Sequence, residues 1–135
     1  MTKKITISSG KRKHAIARIA MRDGEGIIRI NKIPLQSYGA NLYRLKIQEP
    51  LILAGELAKK VNADLTVMGG GMNSQAEAAR VAIAKALVEH SKSSELKDTF
   101  LEYDRNMLIA DVRYKEQHKP NRHGKARAKV QKSYR

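Results

Sequence analysis

Two groups of cations offer the clearest chemistry. Lys11-Arg12-Lys13-His14, with Arg18 four residues on, lies beside a strand-like stretch, so its charges project from a rigid support. Arg122, Lys125, Arg127, Lys129, Lys132 and Arg135 recur at intervals of two or three residues up to the C-terminus. An extended chain spans about 3.3–3.6 Å per residue, so that spacing suits contact with successive phosphates. Arg forks phosphate oxygens bidentately, while Lys acts as a mobile point charge. Few aromatic residues interleave, so serial base stacking is not the main mode expected. Phosphate and shape reading is, with Tyr134 as one stacking group. Charge alone does not separate RNA from DNA.

Other chemistries have weaker support. Gly69-Gly70-Gly71 follows a strand-like run and precedes a helix start, the local layout of a phosphate cradle. No Gly-Lys-Ser/Thr follows it, and Asn73 to Ala76 hold no glycine, so neither the P-loop nor the dinucleotide pattern is met. A tight connection that lets the helix approach the sheet is therefore the preferred reading of the glycines. Among the histidines, His118 and His123 stand five apart in a polar tail with only Glu116 nearby, which is poor metal geometry. His90 falls on the inner or bordering face of its helix and is expected to be packed. Ser8, Ser9, Ser74 and Ser94 lack a local orienting base, so no nucleophile is expected. A membrane-surface role needs an amphipathic helix with bulky apolar residues, which the tail lacks.

The elements that hold these residues must come from one core. The 135 residues suit a single domain, with Leu, Ile, Val and Ala filling it because aromatics are scarce. There is no cysteine, which excludes disulfides and thiolate zinc sites. No apolar run spans a bilayer, and Met1-Thr2-Lys3-Lys4-Ile5-Thr6 has no apolar leader segment, so a soluble intracellular chain is expected. The net charge of +14 is uneven: residues 1–29 carry +6, residues 30–112 none, and residues 113–135 carry +8. Clustered like charge opposes compaction, so its presence at both ends points to a polyanionic partner.

Ile5-Thr6-Ile7 and Ala15–Met21 read as strands, and Asp23-Gly24-Glu25-Gly26 reads as a hairpin turn returning into Ile27–Ile30. Asn31 to Pro34 ends that basic hairpin. Glu49-Pro50 predicts a helix start, weakened at Gly55 and closed by Val61–Ala63. Asp64–Met68 predicts a strand. Ser74 and Glu77 fit a capping box for a helix running to about His90, with Ala79, Ile83, Ala86 and Leu87 on one face. Ser93-Ser94 can cap a further helix carrying Leu96, Phe100 and Leu101, and Met107–Ala110 reads as a last strand. The result is an α+β domain over residues 1–112 with helices on one face of a mixed sheet. Residues 113–135 then form an extended basic tail. They are too polar to offset their ordering entropy alone, so they are expected to be disordered when free.

Three stretches resemble protein nine of the small ribosomal subunit. They are Gly10-Lys11-Arg12-Lys13-His14-Ala15-Ile16-Ala17-Arg18 with its following turn, Gly69-Gly70-Gly71-Met72-Asn73-Ser74-Gln75-Ala76-Glu77-Ala78 continuing to Leu87, and Gly124 to Arg135. The second is a long and specific signature. The ending Gln-Lys-Ser-Tyr-Arg is similar to the archaeal and eukaryotic branch. His14 and Val112 depart from the common Thr or Ser and from the common Pro. The resemblance implies a four-stranded mixed sheet carrying helices, like domain two of ribosomal protein five, and no catalysis or cofactor. It implies binding to small-subunit ribosomal RNA in the head, beside neighbouring head proteins. It further implies that the tail reaches the anticodon stem-loop of the peptidyl-site tRNA, with Arg135 on a phosphate and Tyr134 and Lys132 nearby. No small-molecule substrate and no membrane enter this picture.

Overall fold

Alternating side chains build the framework. In a computed structural model, which describes residues 4–121 together with Ala126 and Arg127, strand β1 (Ile5–Arg12) pairs antiparallel with β2 (Ala15–Asp23). β2 pairs antiparallel with β5 (Val61–Met68). Ala15, Ala17, Ile19 and Met21 of β2, and Val61, Ala63, Leu65 and Val67 of β5, are buried on one face. Their alternate neighbours face outward, the period of two that strand geometry imposes. β3 (Ile28–Ile30) runs parallel to β5, and the short β4 (Ile33–Pro34) closes the far edge. The order β1-β2-β5-β3-β4 makes a five-stranded mixed sheet, where the family resemblance implies four strands.

Two local expectations give way to longer-range pairing. The stretch after the Asp23–Gly26 turn does not return along β2. Its Ile28 and Ile30 pair instead with Ala63 and Leu65. The turn is stitched to the start of β5: Gly24 N donates to Lys60 O at 2.8 Å and Gly26 N to Val61 O at 3.0 Å. Asn62 Oδ1 accepts from the backbone N–H of both Glu25 and Ile27, each at 2.9 Å. The basic hairpin is therefore β1–β2, with Lys13-His14 as its loop. The segment expected to end the hairpin is itself a turn: Asn31 and Lys32 both have positive φ, as a tight two-residue connection requires, and link β3 to β4.

Helix α1 (Asn41–Ala54) starts eight residues before the expected Glu49-Pro50, and Pro50 is buried inside it. Gly55, at φ +57 and ψ −119, ends α1 by donating to Leu51 O and Ile52 O, a positive-φ conformation only glycine adopts cheaply. A single turn, α2 (Glu56–Lys59), follows, and Val61–Ala63 opens β5 instead of closing a helix. α3 (Met72–Ser91) lies across β1 and β2 and packs against α1. Its alanines bring it so close that a Cβ on Gly10 of β1 would fall 2.2 Å from Ala78 O. α3 begins at Gly71 without a side-chain cap, so Ser74 and Glu77 do not form the expected box. α4 (Ser94–Tyr103) has the expected cap, Ser93 Oγ accepting from Leu96 N at 3.3 Å, and buries Leu96 and Phe100. Met107 is buried in a 3₁₀ turn at Arg105–Met107, so the last strand expected at Met107–Ala110 is not formed. Asp104 caps that turn, and Met107 and Leu108 pack on the existing core.

The helices cover one face of the sheet and leave the other open. Exposed strand residues there include Ile5, Ile7, Lys11, Arg18, Arg22, Arg29, Asp64, Thr66 and Met68.

Candidate nucleic-acid interface

The β1–β2 hairpin has a two-residue loop, because Arg12 pairs directly with Ala15. Lys13 accepts φ +53 to close it, a conformation that a residue with a Cβ visits rarely. The Gly69-Gly70 turn packs beneath. Gly69 has φ +75, and a Cβ on it would fall 2.5 Å from His14 O. A Cβ on Gly70 would fall 3.0 Å from Ala15 N. These two glycines therefore support the hairpin tip, in line with the structural reading of the glycine run. Gly71 has open space around it.

Arg12 points inward. Its Nε donates to Glu77 Oε2 at 2.9 Å and its Nη1 to Arg113 O at 3.1 Å, while Nη2 lies 3.5 Å from Asp111 Oδ2. Only 13% of its side chain is exposed. The reading of Arg12 as a free phosphate ligand is thus replaced by that of an internal tie joining hairpin, α3 and the root of the tail. Glu77 also approaches Lys46 Nζ of α1 at 3.4 Å, which extends the tie to a third element. Asp111 is bound on its other side by Arg113, whose Nη2 is 2.7 Å from Oδ2 and whose backbone N–H donates to Oδ1 at 3.0 Å. These bonds from Arg113 hold the Asp111 carboxyl well below the usual carboxylate range. The ion pair in turn raises Arg113.

The tie sets the tail root against the hairpin tip. The Lys11 ammonium stands 5.6 Å from the centre of the Tyr114 ring, within cation–π range. Arg12, Lys13, His14, Arg113, Tyr114 and Lys115 line a groove of about 560 Å³. Among the described residues, Lys13, His14 and Lys115 have no carboxylate partner. Arg18 is exposed on the open face between Ser9 and Thr66 of the flanking strands. Arg22 pairs with Asp64 at 2.7 Å on the same face, and Arg29 lies opposite Asp64 in register. The strands thus present four outward cations, Lys11, Arg18, Arg22 and Arg29, against one carboxylate.

Of the cations expected in the tail, Arg127 is described: its Nε lies 2.8 Å from Glu116 Oε2, and Lys119 Nζ lies 3.1 Å from Glu116 Oε1. The bond to Arg127, then that to Lys119, lowers the Glu116 carboxyl. Arg122, Lys125, Lys129, Lys132, Tyr134 and Arg135 lie outside the described residues. The sequence reading does not single out Arg113, Tyr114 and Lys115 for this site, because only the fold brings positions 12–14 and 113–115 together. Alternation of aromatic and basic residues over 113–115 is the one signal that could have found them.

His90 is packed, as expected: Nε2 donates to Asp23 Oδ1 at 2.8 Å, and Nδ1 lies 3.0 Å from the Thr6 hydroxyl. Among the described residues, no three His, Asp or Glu side chains are placed to hold a metal ion, and no helix is long and apolar enough to cross a membrane.

Residues 10–135 match the family described as ribosomal protein S9/S16. The chain is 47% identical over 133 residues to the small ribosomal subunit protein uS9 of Methanococcus maripaludis strain C7, covering 98% of this chain and 99% of the relative. The uS9 protein of Methanothrix thermoacetophila is 48% identical over 132 residues, with 98% and 99% covered. Both organisms are archaea, one of the two branches that the terminal Gln-Lys-Ser-Tyr-Arg suggests. With the family spanning the hairpin, the glycine turn and the tail alike, the chain belongs to the ribosomal protein S9/S16 family.

Proposed function

We propose that this chain is a structural constituent of the small ribosomal subunit that docks on ribosomal RNA through its β1–β2 hairpin and follows it with its tail. The observation that carries this reading is the convergence of cations on one rigid corner, where Lys13, His14 and Lys115 meet beside Lys11 and the open face with Arg18. Charge fixed before binding loses less entropy on docking than charge on a free chain. Lys11, Lys13 and Arg18 anchor the domain, and Arg12 holds their support in place. Arg122, Lys125, Arg127, Lys129 and Lys132 run along RNA phosphates. Tyr134 and Arg135 reach the anticodon stem-loop of the peptidyl-site tRNA, and neighbouring proteins of the subunit head complete the surroundings. No catalytic step and no cofactor belong to this role.

Replacing Lys11, Lys13 and Arg18 together by Ala tests the anchor. The expected result is a folded chain, by circular dichroism, that no longer sediments with small subunits. Normal co-sedimentation of that variant would remove the hairpin from the docking surface.

A further inference from the structure

We infer that the groove between the hairpin tip and the tail root is a pocket for a single extruded ribonucleotide, with its base stacked on Tyr114 and its phosphate held by Lys13 and Lys115. The inference rests on the RNA-binding reading above and specifies what part of an RNA enters.

The first argument is shape. The groove, about 560 Å³, falls in the range of small-ligand pockets, roughly 300–1,000 Å³. A duplex keeps its bases stacked inside and offers no ring to such a pocket, whereas loops and bulges present bases splayed out for stacking on aromatic side chains.

The second argument is the lining. Tyr114 has the largest ring among the six, beside the His14 imidazole, and it is 49% exposed, so a large part of its ring is open to a visitor. Lys11 stands over the ring at 5.6 Å and makes the same site cationic. Lys13 and Lys115 have no carboxylate partner among the described residues, and both line the groove. A nucleotide offers the matching pair of features, a flat π-face and an adjacent phosphate.

The third argument is preorganisation. The Arg12 tie to Glu77, Asp111 and the Arg113 carbonyl holds the two walls together without help from RNA. Gly69 and Gly70 pack directly against His14 and Ala15 at the base of the tip. The pocket is thus formed before its occupant arrives, which limits the entropy lost on binding.

Two probes separate a base pocket from a phosphate groove. One is a short single-stranded RNA with 2-aminopurine at its centre, and the other is the same strand with an abasic site there. The full chain is expected to bind the base-bearing strand about 5- to 150-fold more tightly, the range for one stacked base, and to quench its fluorescence. Tyr114→Leu, at an exposed position that the core does not need, should bring the ratio close to one, and Tyr114→Phe should keep it. Lys13→Ala and Lys115→Ala should each weaken both strands alike. Equal binding of the two strands by the unaltered chain, or an unchanged ratio in Tyr114→Leu, would overturn the nucleotide pocket and leave a phosphate groove. Failure of both strands to bind would sink the RNA-binding reading itself.

Discussion

Arg12 and Arg135 show how little residue type says about role. Both are arginines in basic runs, yet Arg12 is turned inward and bound on three sides. Breaking a partly buried pair strands its partners, so Arg12→Met should cost about 1–3 kcal/mol in chemical denaturation. Arg12→Lys should recover little, because an ammonium cannot fork to Glu77 and Asp111 at once. The same tie has a pH signature. Asp111 ionises well below its ordinary range in the folded chain, so its stabilisation is complete above about pH 4 and fades as pH falls through its lowered value. Asp111→Asn should therefore destabilise the chain at neutral pH and make no difference in strong acid, which denaturation curves at the two pH values would show. Arg135, by contrast, belongs to the proposed tRNA contact. Its deletion should leave subunit assembly intact and weaken peptidyl-site tRNA binding by at most about 1.5–3 kcal/mol, the worth of one charge-assisted hydrogen bond. Filter binding to subunits carrying each variant checks this, and unchanged tRNA affinity would refute it. The basic runs themselves were legible in sequence. The inward turn of Arg12 was not, because its partners stand 65 to 101 positions away.

At the scale of elements, local rules succeeded where the partner was local. Ser93 caps α4 as its spacing indicates, and the alternation in β2 and the alanine face of α3 carry straight into the core. Local rules failed where tertiary pairing outbid them. The Asp-Gly turn had every mark of a hairpin, but Asn62 and the backbone of residues 60 and 61 captured it. Pro50 looked like a helix start, yet α1 extends a further nine residues toward the N-terminus and buries the ring. Ser74 and Glu77 satisfied a capping pattern, but Glu77 serves Arg12 and Lys46 instead. The glycine run allows a sharp test of its structural role. Gly69→Ala meets both a left-handed backbone and the His14 carbonyl, so it should destabilise by about 2 kcal/mol or more. Gly71→Ala meets neither, so it should stay within about 1 kcal/mol of the parent. Equal losses at the two positions would indicate that the run is kept for something other than packing.

Across the whole molecule, charge and fold divide the labour. Residues 30–112 are electrically balanced and supply most of the core, while the excess of +14 is carried by residues 1–29 and 113–135. That distribution is plain in the order of the residues, and it anticipates two basic regions. That the root of one lies against the tip of the other is not plain there, since it depends on how the sheet orders its strands. Removing residues 119–135 deletes seven cations and no carboxylate side chain. The plot of log K against log salt for ribosomal RNA should flatten accordingly, by about 0.7 for each single-strand phosphate that is no longer neutralised. An unchanged slope would mean that the tail meets no phosphates. Glu116, paired with Lys119 and Arg127, is the natural competitor for those phosphates. Glu116→Gln should therefore tighten RNA binding modestly, and the gain should vanish at high salt.

The strand order also sets a timetable for biosynthesis. β1 and β2 are neighbours in sequence and in the sheet, so their hairpin can close as soon as residue 23 has left the ribosome. β3 is made next but must stay apart from β2, because the strand that belongs between them begins only at Val61. At about 5–20 residues per second, that strand arrives seconds later. The Asp23–Gly26 turn has the local chemistry of a β2–β3 hairpin, a pairing that the finished sheet does not contain. Asn62, which takes hold of that turn through Glu25 and Ile27, is among the first residues of the late strand to emerge. It is thus the residue that joins the early turn to the late strand.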